Sequence, residues 1–136
     1  GTPLRFILDQ VGLAENASRV FLGGPMMGPA ASNLDIPLTK GTSGVVVFTE
    51  NEHASAEQKV YPCIRCGHCL DACPLFLNPS RLGSLARNRE YDRMVGEQNL
   101  FDCFECGCCT YVCPSHIPLA QYFRLAKGIV REQAAK

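Results

Sequence analysis

The run Cys63-Ile64-Arg65-Cys66-Gly67-His68-Cys69-Leu70-Asp71-Ala72-Cys73-Pro74 recurs forty residues later as Cys103-Phe104-Glu105-Cys106-Gly107-Cys108-Cys109-Thr110-Tyr111-Val112-Cys113-Pro114. This C-x2-C-x2-C-x3-C-P spacing is the one with which a chain wraps a cubane iron–sulfur cluster. Three thiolates two residues apart reach three irons from one loop, and Gly67 and Gly107 let the backbone approach without a side chain between. The fourth cysteine follows one helical turn later, and in two-cluster proteins it ligates the other cluster. The expected sets are therefore crossed: Cys63, Cys66, Cys69 and Cys113 for cluster 1, and Cys103, Cys106, Cys109 and Cys73 for cluster 2. Pro74 and Pro114 stop further winding and carry no N–H to leave unpaired.

Zinc is the main rival for such cysteine pairs. A tetrahedral zinc site needs four ligands and has no use for the third and fourth cysteines of each run or for the proline. A disulfide scaffold fits worse, because nine cysteines is an odd number at very short spacings, and no signal peptide precedes them. Cys108 is left over once both sets are filled and reads as a small residue beside the cluster. His68 and His116 read as neighbours of the ligands or as surface groups, and no residue is assigned a catalytic role.

At 136 residues the chain holds one ordinary domain or two small ones, and a cysteine-dense region needs its clusters as part of its core. Thirteen basic and thirteen acidic side chains balance, and two four-thiolate clusters would take the loaded protein to roughly −4. Nucleic acid is an improbable partner on that charge. No apolar stretch approaches the length of a bilayer span, so membrane association is expected only through other subunits. The chain opens Gly1-Thr2-Pro3-Leu4 on a helix start and reads as a piece of something longer.

Thr2 is expected as N-cap and Pro3 as the first helical residue, with Leu4, Ile7, Leu8 and Val11 at helical spacing and Gly12 as the stop. Residues 19–22 and 45–48 are strand candidates, separated by the turn-like Gly23–Gly28 and Gly41–Gly44. Gly23–Gly28 lacks the lysine–threonine ending of a phosphate loop and the spacing of a dinucleotide loop, so it reads as a tight turn whose Met26 and Met27 pack on a neighbouring domain. Residues 53–59 read as a linker. Beyond it, Asn78-Pro79 opens a helix carrying Leu82, Leu85 and Ala86. A second helical stretch runs from Glu90 through Val95, and a third after Pro118 carries Leu119, Tyr122, Phe123, Ala126, Ile129 and Val130 as one stripe. Helices are thus expected to frame the clusters. Ile64 and Phe104 lie inside the ligand loops and are expected to exclude water and so lower the cluster potentials. Arg65, Arg81, Arg87, Arg89 and Arg93 read as solvated charge, in preference to stabilising reduced clusters or docking an acidic partner ferredoxin.

Taken together, Gly23–Gly28, Pro37–Gly44, Cys63-Ile64-Arg65-Cys66-Gly67 and above all Glu105–Leu119 resemble the C-terminal part of the C subunit of the Rnf (Rsx) electron-transport complex. The resemblance covers nearly the whole chain. It implies an α+β fold: a partial β-grasp module of the soluble-ligand-binding type over residues 1–52, its first hairpin lying before Gly1, then an all-helical dicluster ferredoxin domain over residues 60–136. It implies electron transfer through two 4Fe-4S clusters within a membrane complex that couples NADH:ferredoxin oxidoreduction to ion transport. FMN and NADH are then bound by an upstream domain, and no glycine-rich motif for either occurs here. The implied partners are other Rnf subunits, a ferredoxin-like one especially, and the implied site is the cytoplasmic face of the bacterial inner membrane. The alternatives are an electron-transfer subunit of an RnfC-like cobalamin reductase, which shares this domain order, and a docking module whose clusters are structural.

Overall fold

The computed structural model describes residues 1–51 and 59–135, so the expected linker lies outside the described residues except for Lys59. The chain divides at Lys59 into two compact units.

In the first unit, helix α1 (Leu4–Val11) buries Leu4 and Leu8. They meet Val20 of strand β1 (Ala17–Leu22), with Leu22 of the same strand and Val45 and Val47 of strand β2 (Val45–Thr49) packed around them. The strands pair antiparallel, Val20 opposite Val47 and Leu22 opposite Val45, with a register shift between Ala17 and Arg19. Strand alternation then puts Phe21 and Phe48 on the opposite face, where their rings meet edge to face at 5.5 Å. The outer edge of β1 is covered. Leu22 N donates to Pro29 O and Ala31 N to Val20 O.

The start of α1 differs from expectation. Pro3, not Thr2, is the N-cap, and no side chain caps the helix. The orphan first-turn N–H groups are met by backbone instead: Leu4 N donates to Ile36 O at 3.0 Å and Arg5 N to Leu34 O at 2.7 Å, while Thr2 O accepts from Leu38 N. A long-range bridge between Pro3 and Pro37 therefore does the work that a local cap does elsewhere. Turn Gly23–Gly28 closes with Gly28 N donating to Gly24 O at 2.6 Å. A Cβ on Gly28 would run into Leu22 O, so glycine is required there for close approach. Met26 and Met27 are each 47% exposed.

The second unit repeats itself. Each cysteine run ends in a four-residue helix, α2 (His68–Asp71) and α5 (Cys108–Tyr111), then a bend and a longer helix. After the first run that helix is α3 (Pro79–Arg87), followed by α4 (Tyr91–Gly96) and a 3-10 turn at Leu100–Asp102. After the second it is α6 (Leu119–Ala134). Asn78 caps α3 by accepting from Arg81 N at 3.0 Å, with Pro79 as its first residue. Thr110 Oγ1 accepts from Ala120 N at 2.9 Å and so meets one of the orphan N–H groups of α6. Leu82, Leu85, Met94, Leu100, Ile117, Leu119, Phe123 and Ala126 form the core together with Cys109.

Candidate metal centres

The two ligand loops have the same backbone path. Arg65 and Glu105 take φ of 57° and 63°, Gly67 and Gly107 87° and 83°, and Phe76 and His116 53° and 52°. Four of those six residues carry side chains that the left-handed region disfavours, so the loop shape dictates the conformation at those positions. The short helices close alike, Ala72 N donating to His68 O at 3.0 Å and Val112 N to Cys108 O at 3.1 Å. Two runs of one spacing thus fold into two copies of one cradle.

The structure gathers the eight cysteines into two groups. Cys63, Cys66, Cys69 and Cys113 line a cavity of about 810 Å³. Cys73, Cys103, Cys106 and Cys109 line a smaller one, walled by Leu77, Pro79, Leu82 and Phe123. Each group takes three thiols from one run and the fourth from the other, because α2 packs against α5. A backbone clip helps: Tyr61 N donates to Ser115 O at 2.9 Å, and the buried Ser115 hydroxyl donates to Pro62 O at 2.9 Å. The start of the first run is thereby held to the tail of the second.

The surroundings of the two groups differ. Cys63 and Cys66 are exposed, whereas Cys109 is buried and Cys103 and Cys106 are partly so. Burial pushes the Cys69 and Cys103 thiols above their ordinary pKa. It pushes Cys109 up to about 12, with Cys103 and Cys106 adding to the effect. These thiols hold their protons until a metal displaces them. Cys108 sits at the second group, where a hydrogen bond with Cys106 raises its pKa first of all.

Glu105, Arg124 and Lys127 form a feature that motif reading passed over. Lys127 is 5% exposed and donates to Cys103 O and, at 3.1 Å, to Glu105 Oε1. Arg124 Nε donates to Glu105 Oε2 at 2.9 Å. Burial works against the Glu105 carboxylate, but Arg124 and Lys127 outweigh it and hold its pKa below the usual carboxylate value. Its trace in the sequence is slight: two cations three residues apart on α6, beside the apolar stripe, and one carboxylate inside a ligand loop, a pattern that surface charge also produces. Ile64 and Phe104 depart from expectation, being 67% and 51% exposed. Ile64 is part of the wall of the first cavity, whereas Phe104 does not line the second. His68 and His116 are exposed, and neither lines a cavity.

Four thiols about one cavity are the donor set of an iron–sulfur cubane. Among the described residues, no group of three or more His, Cys, Asp or Glu side chains is arranged to hold a single metal ion. A zinc ion with Zn–S of about 2.3 Å would need the four thiols drawn to one point, and a cubane receives them at four corners. The donor set fits the cluster.

Residues 59–117 match the family described as a 4Fe-4S dicluster domain. The C subunit of the ion-translocating oxidoreductase complex of Rhodobacter capsulatus is 44% identical over 139 residues, covering all of this chain and 26% of that protein. Its namesake in Pseudomonas aeruginosa is 44% identical over 137 residues, again covering all of this chain and 17% of its own length. The C subunit of the proton-translocating ferredoxin:NAD(+) oxidoreductase complex of Clostridium ljungdahlii is 45% identical over 92 residues, 67% of this chain and 20% of that protein. The chain therefore spans about a quarter or less of the length of these relatives. With a dicluster domain in its second unit and end-to-end likeness to such proteins, it belongs to the family of C subunits of ion-translocating oxidoreductase complexes.

Proposed function

We propose that Cys63, Cys66, Cys69 and Cys113 hold one 4Fe-4S cluster, that Cys73, Cys103, Cys106 and Cys109 hold a second, and that the chain relays single electrons within a membrane-associated, ion-translocating NADH:ferredoxin oxidoreductase. The observation that carries this reading is the origin of the fourth thiol at each cavity in the other run. A bound cubane supplies a one-electron acceptor and donor whose potential follows its burial and hydrogen bonding. The chain's own part is to fix eight thiolates, to shield the second set with Leu77, Leu82 and Phe123, to hold the start of the first run to the tail of the second through Ser115, and to tie the second loop to α6 through Lys127. The reaction class needs no proton donor or nucleophile from the protein.

On the same reading, residues 1–52 and 60–136 are separate domains and the first is a β-grasp module, which a helix lying on an antiparallel pair supports. FMN and NADH bind in a domain upstream within the whole subunit. The chain meets other subunits of the complex, a ferredoxin-like one among them, at the cytoplasmic face of the bacterial inner membrane. No helix among the described residues is long and apolar enough to cross a membrane. Anaerobic reconstitution followed by metal and sulfide analysis tests the reading. It predicts about eight irons and eight sulfides per chain, and bound zinc without acid-labile sulfide would overturn it.

A further inference from the structure

The forty-residue offset allows the two sites to be compared position by position. Arg65 of the first ligand loop corresponds to Glu105 of the second, and Arg87 on α3 corresponds to Lys127 on α6. At the second site the carboxylate takes both neighbouring cations, Arg124 at 2.9 Å and Lys127 at 3.1 Å, so most of the charge is cancelled inside the fold. At the first site the anion has been exchanged for another cation. The cavity wall there carries Arg65, Arg81 and Arg87, all exposed, and no Asp or Glu.

Among the described residues none of these three arginines makes an ion pair. Glu90 and Glu97 feel the charge of Arg81, but both are held by Arg93. Nor does the cluster's own charge call for three cations. A four-thiolate cubane carries about two negative charges at either site, and the second site meets it with one surplus cation.

The excess stands beside the exposed thiols. Cys63 and Cys66 are open to solvent, and Ile64 and Leu70, 67% and 38% exposed, supply apolar surface on the same wall. Exposed arginines around an apolar patch are the composition of a recognition surface, and unpaired positive charge selects a negative partner.

We propose, resting on the cluster assignment above, that the mouth of the first cavity is the docking surface for an electron-transfer protein that presents a carboxylate-rich face. Its carboxylates meet Arg65, Arg81 and Arg87, as Glu105 meets Arg124 and Lys127 in the other copy. One electron passes at this contact between the partner's one-electron redox group and the first site, one side being oxidised as the other is reduced. The second site, less exposed and with its carboxylate already paired to both cations, exchanges electrons through the first.

The test uses the cluster-loaded chain, its iron counted beforehand, and an acidic plant-type 2Fe-2S ferredoxin as probe, with affinity read by titration calorimetry at low salt. The triple variant Arg65→Gln, Arg81→Gln, Arg87→Gln is expected to lose about tenfold or more in affinity. Arg93→Gln, whose arginine is already paired, should bind as the parent does. Arg65→Glu alone, which writes the second copy's residue into the first, should also weaken binding. Where a variant retains less iron, the parent chain is titrated with probe whose carboxylates have been amidated, and the same loss is expected. Unchanged affinity in the triple variant at full iron content would overturn the proposal. So would equal loss in Arg93→Gln, or a shift in the first centre's potential with no change in affinity. Failure of the parent chain to take up iron would instead overturn the cluster assignment.

Discussion

Lys127 is a lysine in a place where lysine is seldom found, 5% exposed between a ligand-loop carbonyl and Glu105. A buried ammonium is tolerated only when paired and hydrogen-bonded, and here both conditions are met by the loop it secures. Lys127→Met would leave Cys103 O without this donor and Glu105 with Arg124 alone, at an expected cost of about 1–3 kcal/mol. Urea titration of the loaded protein, followed by loss of cluster absorbance, checks this. Lys127→Arg should recover part of the loss, and a Lys127→Met protein as stable as the parent would show the contact to be idle. Ser115→Ala removes the hydroxyl that donates to Pro62 O and should cost about 1 kcal/mol, seen as faster bleaching of the cluster bound at the first site. The grouping of the cysteines about two cavities was legible from spacing alone, because the geometry of a cubane fixes that spacing. Glu105, Ser115 and Lys127 were not, because nothing local distinguishes a buried ion pair from surface charge until the helices are packed.

Among the elements, those with local signals read true and those closed by distant chain did not. Asn78 caps α3 as its Asn-Pro start suggests, accepting from Arg81 N at 3.0 Å, and Asn78→Ala should cost about 1 kcal/mol, measurable in the same titration. Helix α1 shows the limit. Thr2 looks like a cap, yet the N–H groups of Leu4 and Arg5 are satisfied by Ile36 and Leu34, far along the chain, a pairing that no window around Thr2 contains. The turn at Gly23–Gly28 was legible as a turn, but the reason for its last glycine was not, since it lies in the approach of Leu22 O. Gly28→Ala should destabilise the first unit by about 1–3 kcal/mol, read as lower amide protection in β1 and β2 with the second unit unaffected. Equal protection in the variant would mean that the turn relaxes freely.

At the scale of the whole molecule, the division into two units follows from where apolar residues cluster. The first unit closes on Leu4, Leu8 and Val20, and the second on α3, α6 and the short helices around the thiols. That second core contains Cys109 and borders Cys69, Cys103 and Cys113, so the clusters belong to its packing as much as to its chemistry. Removal of iron by a chelator under anaerobic conditions should therefore lower helical circular dichroism and amide protection in residues 59–135 while leaving β1 and β2 protected. Undiminished protection would show that the helices stand without the metal. The crossed arrangement was legible in the duplicated run. The inequality of the two sites was legible only in part: the exchange of Glu105 for Arg65 stands in the two runs, but which thiols end up exposed depends on packing. The central claim is that Cys73, though part of the first run, serves the second centre. Electron paramagnetic resonance of the dithionite-reduced Cys73→Ala variant tests it directly, against Cys66→Ala and Cys106→Ala as references for loss of the first and second centres. The account predicts that the spectrum of Cys73→Ala matches that of Cys106→Ala, and a match to Cys66→Ala would contradict it.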